Sequence, residues 1–467
     1  MMDLWSSRTG FILAATGAAV GIGNIWRFPS VVGRNGGGAY LIPFLIAVFV
    51  FAVPLMILEI NRGRRTRADI VATFRDVRPR FRIFGWFVVA IVLLILSYYL
   101  VITGWILAFL GAAITGSDIS LAGFTATYAP VLSFTVSLGI VAAVLSLGVR
   151  EGIERLTTVL MPLVFVILLG MAAFSVTLSG FSEGMAFFLT PDLSVLADPL
   201  IWSAAFGQAF FSLSAGMGIL ITYGSYVGEE MDVPEAAAII AVADVIVAVL
   251  AGIVIFPIVF TFDLEPSLGT ELAFSTLPAA FSLLPGGRIV AGAFFGLLFA
   301  AAITSAVSMM EVGVSTVRGE TQFSRRQATV LVSILVFFLG MPSLLSYTPF
   351  QLQVWGTPFL DLLDNSVGTL GLPVTALIIS ITFGYFARHE GVQVPRIERL
   401  TTTSTKYLLP PVLVAIIASQ LFLGFDFPGW HTLPSSTLDR ALVSAALLVC
   451  IGLLAYLVLR LQRAAAK

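Results

Sequence analysis

The sequence predicts an all-α polytopic membrane protein with about 12 transmembrane helices, arranged as two five-helix inverted repeats with broken first and sixth helices. Of its 467 residues, 58% are hydrophobic and 11% are charged, and the mean hydropathy is +1.02. A soluble domain has about a quarter of its residues charged. Apolar stretches of about 20 residues, enough to cross a bilayer, recur along the chain, and glycines interrupt two of them at matched positions.

Composition also excludes several classes of function. The net charge of -1 argues against a nucleic-acid partner. The single cysteine, Cys450, allows no intrachain disulfide. His389 and His431 lie far apart in loop-like sequence and form no metal cluster. Asp3 and Trp5, with no small-residue cleavage site after them, argue against a cleaved signal peptide.

The apolar stretches and the positions of Lys and Arg predict the topology. The expected spans are 10–33, 39–61, 83–112, 131–149, 155–178, 199–228, 236–263, 288–317, 324–341, 353–386, 406–425 and 438–461. The loop after the second span contains eight arginines, whereas the loops 112–130, 179–198 and 342–352 contain no Lys or Arg. Because cytoplasmic loops are enriched in basic residues, both termini are expected in the cytoplasm. The loop after the sixth span is acidic and does not fit this pattern, but acidic residues contribute little to the positive-inside rule.

The first broken span lies in the stretch 15–38, ATGAAVGIGNIWRFPSVVGRNGGG. Gly17, Gly21 and Gly23 weaken the helix, and Pro29 interrupts its hydrogen-bond ladder. Unpaired backbone in hydrocarbon costs several kcal/mol per group, so it persists only where it lines a cavity. We therefore expect freed carbonyls that coordinate a small cation and freed amides that hold an anionic group.

A second interrupted stretch, GQAFFSLSAGMG at 207–218, lies five spans later. Matched breaks predict two halves of inverted topology, with a binding site where the breaks meet. The expected units are 1–178 and 199–386 as the two repeats, and 387–467 as two peripheral spans. The alternative is that the glycines only permit close packing of helices.

Several motifs resemble the neurotransmitter:sodium symporters, especially their bacterial amino-acid transporters. They are GIGNIWRFP (21–29), NGGGAYLIPF (35–44), VPLMILE (53–59), GQAFFSLSAGMGILITYGSY (207–226) and AITSAVSMM (302–310). They occur in the family's order and cover the chain from Trp5 to about residue 385, whereas the last two spans carry no diagnostic motif. The resemblance implies a multi-pass protein of a prokaryotic inner or plasma membrane.

The resemblance implies two sodium sites built mostly from neutral oxygens, which suit a hard cation. One would use the carbonyls of Gly17, Val20 and Ala301 and the hydroxyls of Thr304 and Ser305. The other would use the Ala19 carbonyl, the amide oxygen of Asn24, Ser212 and Asp244, with the substrate carboxylate as a further ligand. The alternatives are hydroxyls bonded back to their own helix, and an Asp244 bonded only to a neighbouring helix.

Asp244 stands in an unbroken apolar run, where an unpaired carboxylate is expensive. Chloride-dependent relatives have a neutral residue near this point and use chloride as the missing charge. A fixed carboxylate should remove that need, so chloride is expected not to be required.

The resemblance also implies an amino-acid pocket. The substrate-binding residues would be Ala18, Gly21, Ile22, Gly23, Ile95, Tyr99, Phe211, Ser212, Ser214, Met217, Ser305 and Met309. Freed amides at 21–23 and the Tyr99 hydroxyl would bind the carboxylate, and carbonyls near Phe211 and Ser214 would bind the ammonium group. Monoamine transporters carry an aspartate at the position of Gly21, so its absence favours a ligand with its own carboxylate. An apolar pocket that contains Met217 favours aliphatic and aromatic side chains alike.

Gate residues follow from the same resemblance: Arg27, Asp364, Gln208, Tyr99 and Phe211. Arg27 and Asp364 would form an extracellular gate through a water-mediated bridge; Asp361 competes for that role. On the cytoplasmic side the family's ion pair is absent, because Gly319 stands where the acidic partner is expected. Either a pair shifted to Glu320 or a looser inner gate would follow.

The sequence thus predicts a sodium-coupled symporter that imports hydrophobic α-amino acids by alternating access and is not an enzyme. Within transporters, the alternatives are a small zwitterionic osmolyte such as taurine or betaine, and coupling to protons. A membrane enzyme lacks a visible catalytic set, and a ligand sensor would usually carry an added soluble domain. The oligomeric state stays open.

Overall fold

The computed structural model describes residues 4–264, 272–387 and 400–420, and this part of the chain is almost entirely helical. Nine of its helices are long and apolar enough to cross a membrane. They are Gly38–Thr66, Pro79–Thr115, Ala129–Ser146, Val149–Ser175, Val233–Thr261, Gly287–Glu320, Arg325–Leu345, Phe359–Phe386 and Leu400–Ser419. They correspond to the predicted spans two to five and seven to eleven. The predicted twelfth span, His389, His431 and Cys450 lie outside the described residues.

The first and sixth spans are each divided in two. The first consists of Arg8–Ala19 and Gly23–Arg34, which are bent by 51° relative to each other. The sixth consists of Pro199–Ser212 and Ile219–Ser225, separated by six residues of irregular backbone. The fold class predicted from the sequence, a polytopic helical protein with these two helices broken, is confirmed.

Shorter elements connect the spans. They are the helices Ile70–Val77, Leu121–Thr125, Phe181–Leu189, Leu193–Ala197, Leu272–Thr276 and Leu277–Leu283, and the paired strands Gln353–Val354 and Thr357–Pro358. The strands correct the tenth span, which was expected from 353 and begins at Phe359. Gly356, at φ +79°, and Trp355, at φ +53°, turn the chain there in a conformation that no helix contains.

The fifth span also differs from its expected bounds. It begins at Val149 with a π-helical turn that ends at Glu154 and then continues as α-helix to Ser175. Pro162 lies inside this helix without interrupting it. The stretch from Gly152 to Pro162 is helical throughout.

Burial distinguishes central spans from peripheral ones. The most apolar window of the third span is 83% buried, whereas those of the fourth and fifth spans are only 33% buried. The third and eighth spans pack against each other at the centre. Large apolar side chains such as Leu132, Val166 and Phe338 are more than half exposed on the periphery. A surface this apolar is unfavourable in water and matches a lipid environment.

Two glycines allow the second span and the inner half of the sixth to touch backbone to backbone. A β-carbon on Gly63 would lie 1.9 Å from the carbonyl oxygen of Ile221, and one on Gly224 would lie 2.5 Å from that of Ile60. Sequence analysis left open that glycines permit close packing of helices, and these two glycines do so.

We expect Gly224→Ala to destabilise the protein by about 1–3 kcal/mol, because the added methyl group has only backbone to displace. The measurement is the thermal unfolding midpoint of the purified protein in detergent. Gly139→Ala is the matched control, since a β-carbon there meets nothing within 4 Å, and alanine is the better helix former. Equal midpoints for the two variants would contradict the contact.

Candidate substrate and cation site

The break in the first span turns backbone groups away from the helix axis. The amide of Gly21 donates to Asn24 Oδ1 (3.1 Å), and the amide of Ile22 donates to the Tyr99 hydroxyl (3.3 Å). In an unbroken helix these amides would serve the carbonyls of Gly17 and Ala18. Those carbonyls therefore become free to bind other groups.

The break in the sixth span depends on left-handed backbone. Ser214, Gly216 and Gly218 have φ values of +52°, +85° and +71°. At Gly216 a β-carbon would also lie 2.6 Å from the Ala376 side chain, so glycine is required there twice over. Glu59 on the second span accepts a hydrogen bond from the amide of Gly216 (3.3 Å). Glu59 therefore supports the backbone of this break from the second span.

The two breaks meet through the hydroxyl of Ser214. It donates to the carbonyl oxygen of Ala18 at 2.8 Å, and both groups are buried. Residues that are almost 200 positions apart in the sequence are thereby joined at one level of the bundle.

An oxygen cage lies between the first break and the eighth span. The Ser305 hydroxyl is within 3.2–3.4 Å of four carbonyl oxygens, those of Gly17, Ala18, Val20 and Ala301. A hydroxyl has one proton, so it serves one of these acceptors at a time. The Thr304 hydroxyl binds back to its own helix, at 3.0 Å from the Ala301 carbonyl. This surplus of neutral acceptor oxygens fits a hard monovalent cation.

A second polar cluster joins three helices around Asp244, which has no exposed surface. Its carboxylate accepts from the Asn24 side-chain amide (2.7 Å) and from the Ser212 hydroxyl (2.9 Å). The Asn24 amide oxygen, expected to face this cluster, accepts from the backbone of Gly21 instead. The reason is that a carboxylate only accepts hydrogen bonds, so it attracts the donor end of the amide. Ala19 lines the adjacent cavity.

A small cavity lies where these features converge. The described residues that line it are Ala18, Ala19, Gly21, Gly23, Tyr99, Phe211, Ser212, Ser214, Met217, Ser305 and Met309, and none carries a charge. Its volume of about 20 Å³ is on the scale of one water molecule. Ile95, expected in the pocket, is fully buried and is not among these lining residues, and Ile22 lines the neighbouring outer cavity.

The outer cavity, of about 370 Å³, is separated from the inner one by Tyr99 and Phe211, which line both. Arg27 and Asp364 also line it, yet within the described residues they form no ion pair at 4 Å or less. The Arg27 guanidinium lies over the ring of Phe211, 4.6 Å from its centre. Gln208 is buried and donates to the Gly23 carbonyl (2.8 Å). The five expected gate residues therefore lie close together, around this cavity and the Gly23 carbonyl that borders it.

At the end of the bundle where the first span begins, Trp5 is buried against Phe11, Tyr223 and Tyr226. Glu320 pairs with Arg75, at 3.0 Å, on the short helix after the second span. A shifted ion pair between Glu320 and the N-terminal segment was one expected alternative. Residues 4–8 form no such pair.

Two buried carboxylates on this side were missed by sequence reasoning. Glu311, with no exposed surface, pairs with Arg325 at 2.7 Å and accepts from the Tyr226 hydroxyl at 2.7 Å. Glu154, only 6% exposed, accepts from Ser6. The usable signal for Glu311 was an acidic residue inside an apolar run. Glu154 lay among charged loop residues and gave no such signal.

Discontinuous helices that meet inside a helical bundle define a class of secondary transporters. A family model described as the sodium:neurotransmitter symporter family matches residues 2–122 and 117–393, and the chain belongs to this family. The resemblance drawn from the motifs is thus confirmed, and the chain is a multi-pass, sodium-dependent transporter rather than an enzyme.

Relatives support this assignment over most of the chain. The sodium-dependent transporter YhdH of Bacillus subtilis is 36% identical over 390 residues, covering 81% of this chain and 86% of the relative. A sodium-dependent transporter of Haemophilus influenzae is 34% identical, covering 90% and 98%. The crystal structure of MhsT in complex with L-phenylalanine is 38% identical with a TM-score of 0.82, covering 91% of this chain and 100% of that one.

Ser308 lies on the eighth span, one turn after Thr304. It is absent from the cavity lining, but its buried hydroxyl accepts from Tyr223 (2.7 Å) and donates to the Thr304 carbonyl (2.9 Å).

We expect Ser308→Ala to cost about 1–3 kcal/mol, because the buried Tyr223 hydroxyl loses its acceptor. The measurement is the thermal unfolding midpoint, with Tyr223→Phe and the double variant alongside. The double variant should recover most of the loss, since it removes both partners. Strictly additive losses would show that the two hydroxyls do not interact.

Proposed function

We propose that this protein imports hydrophobic α-amino acids, aliphatic and aromatic, together with sodium by alternating access. The observation that carries the proposal is the cavity at the crossing of the two breaks. Its described lining is uncharged, and a buried carboxylate and an oxygen cage flank it. MhsT, whose structure was determined in complex with L-phenylalanine, supports the choice of substrate class.

Gly21 supports a ligand that carries its own carboxylate. A β-carbon at this position would lie 2.7 Å from Ser305 Oγ and 3.0 Å from the Tyr99 hydroxyl oxygen. The site therefore has no room for an acidic side chain that would pair with an amine. In our proposal the substrate carboxylate binds in the space next to Gly21, beside the Tyr99 hydroxyl and the amides of residues 21–23.

The ammonium group of the substrate is then assigned to the opposite break. Carbonyl oxygens near Phe211 and Ser214 would accept from it. The break redirects the Ala215 amide to the Phe210 carbonyl (3.1 Å), so Phe211 keeps only amides from within its turn, such as that of Ser214 (3.2 Å), and a carbonyl oxygen has a second lone pair for the ammonium group. The side chain would lie against Ala18, Met217 and Met309. Methionine adapts its shape readily, which suits a pocket for side chains of several sizes.

We assign two sodium ions to the site. The cage of Gly17, Val20, Ala301, Thr304 and Ser305 would hold one. The cluster of Ala19, Asn24, Ser212 and Asp244 would hold the other, with the Asn24 amide turned so that its oxygen faces the ion. The substrate carboxylate would then complete the second site and couple ion and substrate directly.

Charge balance supports the second sodium site and independence from chloride. Within residues 4–264, 272–387 and 400–420, no basic side chain lies within 4 Å of the Asp244 carboxylate. An isolated buried carboxylate is costly unless a cation or hydrogen bonds compensate it. A sodium ion would compensate Asp244, and the pair would leave no need for a chloride ion.

The transport cycle follows from the two sides of the structure. The outer cavity is open above Tyr99 and Phe211, and the cytoplasmic side is covered by the N-terminal segment. In the proposed cycle, bound ions and substrate close the outer side through Arg27 and Asp364, and the first and fifth spans then open inward. We assign residues 1–178 and 199–386 to the two inverted repeats, with both termini in the cytoplasm of a prokaryotic cell.

Uptake into proteoliposomes tests the substrate class. With an inward sodium gradient we expect uptake of leucine, phenylalanine and tryptophan, and loss of most uptake without the gradient. Preference among them should be modest, because one methylene group in an apolar pocket is worth about 1–3 kcal/mol. Uptake of taurine or betaine instead would establish the osmolyte alternative, and uptake driven only by a proton gradient would refute sodium coupling.

Replacement of chloride by gluconate tests the charge balance at Asp244. We expect wild-type uptake to be unchanged, because the carboxylate supplies the fixed negative charge. Asp244→Ala and Asn24→Ala should each abolish sodium-dependent uptake. Asp118→Ala, on an exposed outer loop, is the matched control and should transport normally. Uptake that collapses in gluconate would contradict the assignment.

A further inference from the structure

The cytoplasmic side is closed by several contacts to the start of the first span. The Trp5 indole donates to the Tyr223 carbonyl (3.0 Å), the Arg150 guanidinium donates to the Leu4 carbonyl (2.8 Å), and Arg8 pairs with Glu235 at the surface. The contact with Glu154 differs from these, because it is a charged group buried beneath the segment.

Glu154 binds the segment with both carboxylate oxygens. One accepts from the Ser6 amide at 2.9 Å, and the other accepts from the Ser6 hydroxyl. The carboxylate also lies at the N-terminus of the helix that begins at Arg8, where the helix dipole favours a negative charge. We call the Ser6–Glu154 contact the clasp.

Gly10 makes the clasp possible sterically. A β-carbon on Gly10 would lie 1.7 Å from Glu154 Oε1 and 2.4 Å from its carboxylate carbon. The first turn of the helix therefore rests directly on the carboxylate, and residues 6–10 cover it.

Thr157 connects the clasp to the proposed sodium cage. Thr157 lies one turn after Glu154 on the same face of the fifth span and is fully buried. A β-carbon on Gly17 would lie 3.0 Å from Thr157 Cγ2 and 3.2 Å from Thr304 Cβ. Thr157 thus packs at the point where the first span meets the eighth, on the cytoplasmic side of the cage.

We propose that Glu154 is a positioning residue of the transport cycle: the clasp holds the fifth span over the cage while the outer side is open. It takes the role of the family's ion pair to the eighth span, because Gly319 offers no carboxylate and Glu320 pairs with Arg75. Breaking the clasp frees the first turns of both helices together. The π-helical turn that ends at Glu154 is less favourable than α-helix, so this end of the fifth span opens at low cost. The inference rests on the proposed cage as the site that the clasp protects.

Accessibility of a thiol beside the cage tests the clasp. Cys450→Ala gives a cysteine-free chain, and Thr157→Cys places one thiol beneath the clasp. The rate of labelling by a membrane-impermeant maleimide is measured in inside-out vesicles, without substrate. We expect Glu154→Gln to raise this rate about tenfold or more, since hydrogen bonds to a charged group are the strong ones. Ser6→Ala keeps the amide contact and should give a smaller increase, whereas Gly10→Ala should approach the Glu154→Gln rate.

Glu151→Gln is the matched control. Glu151 lies on the same turn but is mostly exposed and contacts only Arg155 at 3.7 Å within the described residues, so its variant should label at the parent rate. Unfolding midpoints are measured in parallel. If Glu154→Gln lowers the midpoint yet the folded protein labels at the parent rate, Glu154 is only structural and the proposal is overturned. Labelling needs no substrate, so failure of amino-acid uptake would refute the proposed function and leave this result intact.

Discussion

The structure depends on one constraint: backbone groups released at two helix breaks, deep in an apolar bundle, must find partners on other helices. Asn24 and Tyr99 accept from the amides of the first break, Glu59 accepts from the second, and Ser214 links the two. Without these partners each break would cost several kcal/mol. Two of these partners, Tyr99 and Ser214, also line the cavity.

This constraint also explains why the sequence was informative. Glycines beside Asn24 in an apolar stretch, and a buried Asp244, indicate a binding site, so the breaks could be predicted from one chain. The family could be predicted from the motifs. The positions of the long helices followed from apolar length alone. The resemblance gave Ile95 a position on the third span but not its neighbours, so its contact with a substrate stays a prediction.

Other features depend on geometry that a linear pattern does not contain. The Asn24 amide could be assigned to the cluster, but which end faces Asp244 depends on what else accepts and donates there. The turn at Trp355 and Gly356 was read as helix because its apolar composition resembles that of a span. Glu154 was invisible because its partner, Ser6, lies in a segment that folds back from a distant part of the chain.

The reciprocal glycine contact between the second span and the inner half of the sixth has a mechanical consequence. Two backbones that touch without intervening side chains have little room to tilt toward each other, since a carbonyl oxygen of one lies directly against a Cα atom of the other. Gly63 and Gly224 therefore couple a helix of each predicted repeat to the other. In the proposed cycle, the inner half of the sixth span moves with the second span, and bending occurs at the irregular residues between Ser212 and Ile219.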